Sequence, residues 1–296
     1  MLLGGTGPAS AGCVSDLPVT PPHHFSVDVE EYFQVNAFEP YAPREAWSSY
    51  PSRVEWTTDA LLDVLAEFGA TGTFFTLGWI GRYHPRLVRR IADAGHEVAS
   101  HGDWHRKVTT LTPDEFREDV RASKAVLEQV TGQPVLGFRA PSFSIGPATA
   151  WAFDVLLEEG YAYDSSVFPI RRRGYGWPGA PTVPYVIRRP AGGLREYPLA
   201  TLPLLGARIP AAGGGYLRQF PFGIIRAAFR EAARHARSAM FYVHPWELDS
   251  AQPRLDVPWL TRVRHYRGLD ATLPRIRELL REFRFSSIER LPVVTA

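Results

Sequence analysis

The chain has 296 residues, 45% hydrophobic and 12% aromatic, which suffices for one large α/β domain or two small ones and excludes disorder over most of its length. Its 33 basic and 31 acidic residues leave a net charge of +2, which gives nucleic-acid binding no support. A single cysteine, Cys13, excludes an internal disulfide, and no run approaches the roughly 18 apolar residues of a membrane helix. Residues 1–22 are rich in Gly, Pro, Ser and Thr and are expected to be a flexible tail. Ser10-Ala-Gly-Cys13 lacks the charged leader and apolar stretch of a lipoprotein signal, so a cytoplasmic protein is expected.

Beyond the tail, strand and helix signals alternate. Residues 23–29 read as a short buried strand. Thr57, Thr58 or Asp59 can cap a helix that runs through Phe68 and ends at Gly69. Residues 72–76 are β-branched and aromatic, hence a strand, and 85–94 a helix opened by Pro85. Residues 96–101 form the next strand. Thr112-Pro-Asp-Glu115 is a capping box that opens a helix to about Val130. Strands follow at 135–141 and 161–165, around a helix at 147–159. Residues 168–215 read as loop, rich in Pro and Gly, with one strand at 195–199. A helix at 222–235, a strand at 239–244, a helix at 269–283 and a strand at 285–288 complete the chain. Repeated β-then-α units predict a parallel α/β barrel in a single domain.

Catalytic groups of such a barrel lie where strands end. Asp28 and Glu30 close the first predicted strand, His101 the third, Arg139 the fourth and His244 a late one. His101 and His105, four residues apart with Gly102 allowing a turn between them, can reach one metal ion. Asp28 and Glu30, at alternating positions, point one way; one is expected to bind the metal and the other to take a proton from the attacking water. Glu31 points the other way and reads as a capping or solvated charge. Arg139 is expected to pair with a carboxylate and orient it, and His244 to act as general acid. Tyr32, Trp104, Phe143, Tyr216 and Trp246 are candidate stacking faces for a substrate ring. Arg171–Arg173 and Arg188-Arg189 read as solvated loop charge, or as a patch for an anionic glycan or phosphate.

These residues resemble the polysaccharide deacetylase superfamily, carbohydrate esterase family 4. Ser26-Val-Asp-Val-Glu30 stands where the family has Thr-Phe-Asp-Asp; Asp28 would be the base, and Glu30 the metal carboxylate in place of the second Asp, which is Val29 here. His101 and His105 match the family's His-Ser/Thr-x-x-His, with Gly102 replacing the hydroxyl residue, and Arg139-Ala-Pro-Ser142 matches Arg-x-Pro-Tyr except at Ser142. The resemblance assigns the Ser142 N–H to the oxyanion and His244 to the acid. For the Asp-Trp pair that orients the acid, Asp164, Glu196 and Trp246 are candidates.

The resemblance runs from about His23 to Glu247. It implies a distorted (β/α)7-type barrel over residues 23–248 with a C-terminal extension over 249–296. It also implies a divalent ion, zinc first with cobalt, nickel or manganese as alternatives, and an N-acetylated glycan as substrate. Asp28-Val-Glu-Glu-Tyr-Phe33, Tyr163-Asp-Ser-Ser-Val-Phe-Pro169, Gly213-Gly-Gly-Tyr216 and Arg264-His-Tyr266 resemble the exosortase-associated deacetylases found near bacterial exopolysaccharide loci. Rival readings are hydrolysis of small cyclic amides or ureides on the same site, and an inactive glycan-binding relic.

Overall fold

The computed structural model describes residues 21–172 and 174–288. Most of the expected tail, with Cys13, and Arg173 lie outside the described residues. The strands are β1 His23–Val29, β2 Thr73–Thr76, β3 Glu97–Ser100, β4 Gly137–Phe138, β5 Tyr163–Asp164, β6 Tyr185–Arg189, β7 Gly192–Glu196, β8 Thr201–Leu204, β9 Ala207–Pro210, β10 Met240–Val243 and β11 Phe285–Ser286. The helices are α1 Val54–Glu67, α2 Gly78–Tyr83, α3 Pro85–Asp93, α4 Pro113–Thr131, α5 Ala152–Glu158, α6 Gly215–Gln219, α7 Phe222–Arg234, α8 Trp259–Tyr266 and α9 Thr272–Glu282.

Parallel strands run in the order β10-β1-β2-β3-β4-β5-β7, with β6 antiparallel beyond β7 and β11 beside β1. Every residue of β1 is buried, as expected for a strand with neighbours on both edges and a packed core on both faces. Single bridges, Leu199 to Met240 and Gly213 to Tyr242, carry the chain after β7 back to β10, so the sheet curls into a distorted barrel of one domain. Gly213 makes that closure possible: with φ of +131°, a Cβ there would stand 1.9 Å from the Tyr242 carbonyl oxygen.

The stretch at 168–215 departs from the predicted loop. It contains β6 to β9, two antiparallel hairpins. Leu205 and Gly206, both at positive φ, form the two-residue turn between β8 and β9. Proline and glycine mark hairpin turns as readily as loops, and local composition does not separate the two. The helix predicted from Thr57, Thr58 or Asp59 starts earlier, at Val54. Its cap comes from elsewhere in the chain: the Glu31 carboxylate accepts from the N–H groups of Arg53 at 3.0 Å and Val54 at 3.2 Å, and from the Ser52 hydroxyl. Glu31 is therefore a buried capping charge, and the Thr57 hydroxyl donates to the Arg53 carbonyl instead. The short helices α2, α6 and α8 were not predicted. The capping box at Thr112 and Glu115 is formed as predicted. No helix among the described residues is long and apolar enough to cross a membrane.

Candidate active site

The carboxyl ends of the parallel strands open into a cavity of about 540 Å³. Asp28, near the end of β1, and Glu30, just beyond it, both line it. Arg139 follows β4 and is fully buried, its guanidinium 4.0 Å from the centre of the Phe75 ring. Its Nη1 donates to Asp28 Oδ1 at 2.7 Å and to Ser26 Oγ at 2.8 Å. Its Nε and Nη2 donate to the carbonyl and hydroxyl oxygens of Ser165 at 3.1 and 2.8 Å. A guanidinium held on all these sides fixes the Asp28 carboxylate in one orientation.

His101 follows β3, and its Nδ1–H donates to the Arg139 carbonyl at 2.8 Å, which leaves the Nε2 lone pair free for a ligand. Burial lowers the His101 pKa to about 4, so the imidazole is neutral at pH 7. His105 Nε2 lies 2.7 Å from Glu30 Oε2. The other Glu30 oxygen accepts from the Trp246 indole at 3.0 Å. Burial opposes the charge on Glu30, yet the three histidines around it depress its pKa. Ligand atoms of Glu30, His101 and His105 lie within 4.8 Å of one another. His105 Nε2 is close to Glu30 Oε2 without a well-aligned hydrogen bond to it, so this oxygen is buried in a costly state that a divalent cation relieves. Two imidazoles and one carboxylate suit zinc and similar ions. The residues fit a metal.

His244 follows β10 and faces this group, its Nε2 3.7 Å from Glu30 Oε1 and 3.9 Å from Asp28 Oδ2. Its Nδ1 lies 2.6 Å from Glu247 Oε1. Arg218 Nε donates to the other Glu247 oxygen at 2.5 Å, while its Nη1 donates to the carbonyls of His265 and Arg267 at 2.8 and 2.7 Å. Burial alone would lower the His244 pKa, but the Glu247 hydrogen bond and the charges of Glu30, Glu247 and Asp28 lift it to about 9. The Arg218 charge and the His244 hydrogen bond hold Glu247 down at about 2 against its burial. His244 is therefore cationic at neutral pH. Glu247→Gln is expected to lower the His244 pKa by about one unit or more, read by NMR titration of the metal-free protein. A pKa unmoved by that change would show that Glu30 and Asp28 suffice.

A family model described as Polysaccharide deacetylase matches residues 48–156, and one described as Domain of unknown function (DUF3473) matches residues 165–292. The peptidoglycan-N-acetylmuramic acid deacetylase of Bacillus subtilis is 33% identical over 76 residues, 26% of this chain and 29% of that protein. A chitooligosaccharide deacetylase of Sinorhizobium fredii is 32% identical over 124 residues, 41% of this chain and 55% of that protein. The chain carries a polysaccharide deacetylase domain. Its fold is shared with a Mycobacterium smegmatis protein, described as a polysaccharide deacetylase in its crystal structure, at a TM-score of 0.60. That likeness has 20% identity and covers 95% of this chain and 88% of the other. The curated relatives are matched over 29% to 55% of their own length.

The cavity of the deacetylase domain draws on both matched segments. His101, His105, Arg139 and Ser142 come from the first, and Arg218, His244, Trp246 and Glu247 from the second. Asp28 and Glu30 precede both. His105, Ser142 and Phe143 adopt positive φ of 52°, 56° and 52°, an uncommon conformation outside glycine, and all three line the cavity. Ser142 Oγ donates to Asn36 Oδ1 at 2.6 Å, and the Asn36 amide donates to the His105 carbonyl at 3.1 Å, which ties these strained segments together.

Two expectations need correcting. Neither Asp164 nor Glu196 orients His244; Glu247 does, three residues away on the same loop. Asp164 and Glu196 are instead buried cross-strand partners in β5 and β7. Burial raises both pKa values, and the Asp164 charge pushes Glu196 well above the ordinary carboxyl range, which predicts that the pair shares a proton. Asp164 accepts from the hydroxyl and N–H of Ser166, whose hydroxyl in turn accepts from the Ala140 N–H at 2.8 Å. Its place in the deacetylase domain is thus behind Arg139. Because the folded pKa of Glu196 is raised, its stabilising effect is full below the unfolded pKa and is lost as pH rises toward the folded one. Glu196→Gln, which donates to Asp164 without a titrating proton, is expected to raise Tm by roughly 2–4 °C at pH 9 and little at pH 5. Melting curves with parallel pH dependence in both proteins would refute the shared proton.

The aromatic candidates divide. Phe143 and Trp246 line the cavity, but Trp246 is held between the rings of His244, 5.1 Å away, and His265, 4.1 Å away. Tyr216 lies behind the wall with its hydroxyl paired to that of Tyr175, which takes the lining place. Tyr32 is core, edge-on to Phe33, and Trp104 packs on Trp47. Glu247, Arg218 and His265 are the site residues that sequence reasoning missed. A carboxylate three residues after a candidate acid histidine was the signal available for Glu247.

Proposed function

We propose that the chain is a metal-dependent hydrolase that removes N-acetyl groups from amino sugars of a bacterial polysaccharide, in the exosortase-associated subgroup. The observation that carries this reading is that Asp28 and His244 face each other across one cavity, each held by its own partner. A carboxylate locked by Arg139 lies 3.9 Å from a cationic histidine locked by Glu247. That arrangement suits a base and an acid acting on one bond.

Glu30, His101 and His105 would hold the ion, zinc first. When bound, it supplies Lewis acidity to the amide carbonyl and lowers the pKa of water beside it. Asp28 takes a proton from the attacking water. The Ser142 N–H is the donor proposed for the oxyanion that forms on the former carbonyl. His244 gives its proton to the departing amine nitrogen, which is a poor leaving group without it. The products are a free amino sugar and acetate. Arg139 and Glu247 act through Asp28 and His244 and are positioning residues.

The test is acetate release from chito-oligosaccharides by zinc-loaded wild type. Release that is lost in His101→Ala, together with its bound metal, supports the reading. No release from any N-acetylated glycan despite stoichiometric metal would refute it and favour a small cyclic amide as substrate.

A further inference from the structure

We propose that the glycan is anionic, and that Lys107 and Arg264 hold a carboxylate or phosphate on the sugar adjoining the one that is deacetylated. The inference rests on the deacetylase reading for the reacting sugar, and on the cavity's own charges for the rest. Asp28 and Glu30 are the carboxylates that line the cavity among the described residues. Both have partners within it: Asp28 has Arg139, and Glu30 has His105 and Trp246. Among the cations of the wall, Arg218 is committed to Glu247. Lys107 and Arg264 line the same cavity, and neither side chain meets a carboxylate among the described residues.

Several surface arginines elsewhere in this chain have carboxylate partners. Arg90 meets Asp59 and Glu55, Arg121 meets Glu159, and Arg230 meets Glu282. Lys107 and Arg264 have no such partner among the described residues, and they line the cavity of the candidate site. Their main chains are anchored while their side chains are not. The Lys107 carbonyl accepts from the Thr110 hydroxyl at 2.8 Å, and the Arg264 carbonyl from the Gln219 amide at 2.9 Å.

Their distance from the chemistry is also set. Lys107 lies two residues after His105, and Arg264 directly precedes His265, whose ring stacks on the indole that holds Glu30. An anion held by these cations lies in the same cavity as the reacting acetyl group. Two free cations in the lining shift the potential of the cavity toward positive and draw an anionic chain inward.

The experiment measures binding calorimetrically for three probes. They are a tetrasaccharide of alternating N-acetylglucosamine and glucuronate, chitotetraose, and chitotetraose 1-phosphate. At low salt the anionic probes are expected to bind wild type about tenfold more tightly than the neutral one, an advantage that shrinks as salt screens it. Whether the glucuronate or the phosphate probe binds best identifies the anion. Lys107→Met/Arg264→Met should lose the advantage, Lys107→Arg should keep it, and Arg89→Gln, an exposed cation of α3, should keep it too. Equal binding of all probes by wild type, or an advantage that survives the double variant, would overturn the inference. Acetate release, measured on the same samples, separates the two readings. Anion-dependent binding without any release refutes the deacetylase and leaves the anion site standing; release without anion preference does the reverse.

Discussion

Asp28→Asn is expected to lower kcat on an N-acetylated oligosaccharide by about 10²- to 10⁴-fold while the protein still binds one metal ion. Asparagine keeps the shape and can still meet the Arg139 guanidinium through its carbonyl, which now stands 2.7 Å from Asp28 Oδ1. What it lacks is a basic oxygen to take the proton of the attacking water. The ligand set of Glu30, His101 and His105 excludes Asp28, so metal content should not follow activity down. Atomic absorption on the same sample that is assayed separates these effects. A variant that loses metal would make Asp28 a ligand, and one that keeps its rate would place the base elsewhere.

Glu30→Gln is expected to remove stoichiometric zinc binding and, with it, activity above background. The neutral amide is a weaker ligand and leaves the two imidazoles with no carboxylate among them to balance the charge of the cation. Trp246 donates to Glu30 Oε1, and the glutamine oxygen can accept that same bond, so the fold should survive. Calorimetric titration with zinc reads the first effect and acetate release the second. Tight zinc binding by Glu30→Gln would exclude Glu30 from the ligand set whatever happened to the rate.

Much of the fold was legible because local patterns encode it. The alternation of buried strands with helices, the capping box at Thr112 and the glycines that end helices are each decided within a few residues. The region between β5 and α6 was not legible, because hairpin turns such as Leu205-Gly206 use the same residue types as loops. The four subgroup motifs, visible in the sequence only as resemblances, acquire physical roles. Ser165 and Ser166 hold Arg139 and Ala140, Gly213 admits β10, His265 supports Trp246, and Glu31 caps α1.

The sequence by itself determined which side chains could do chemistry: Asp28, Glu30, His101, His105, Arg139 and His244 all stand at or just beyond predicted strand ends. Alternation along a strand and position at its end follow from backbone geometry, which a sequence carries directly. Only the tertiary structure decided their partners. Arg218 reaches Glu247, 29 positions away, and Arg139 reaches Asp28, 111 positions away, because barrel closure brings those strands and loops together. The same closure set Asp164 against Glu196 and away from His244, since parallel register, and not residue type, chooses which carboxylates meet.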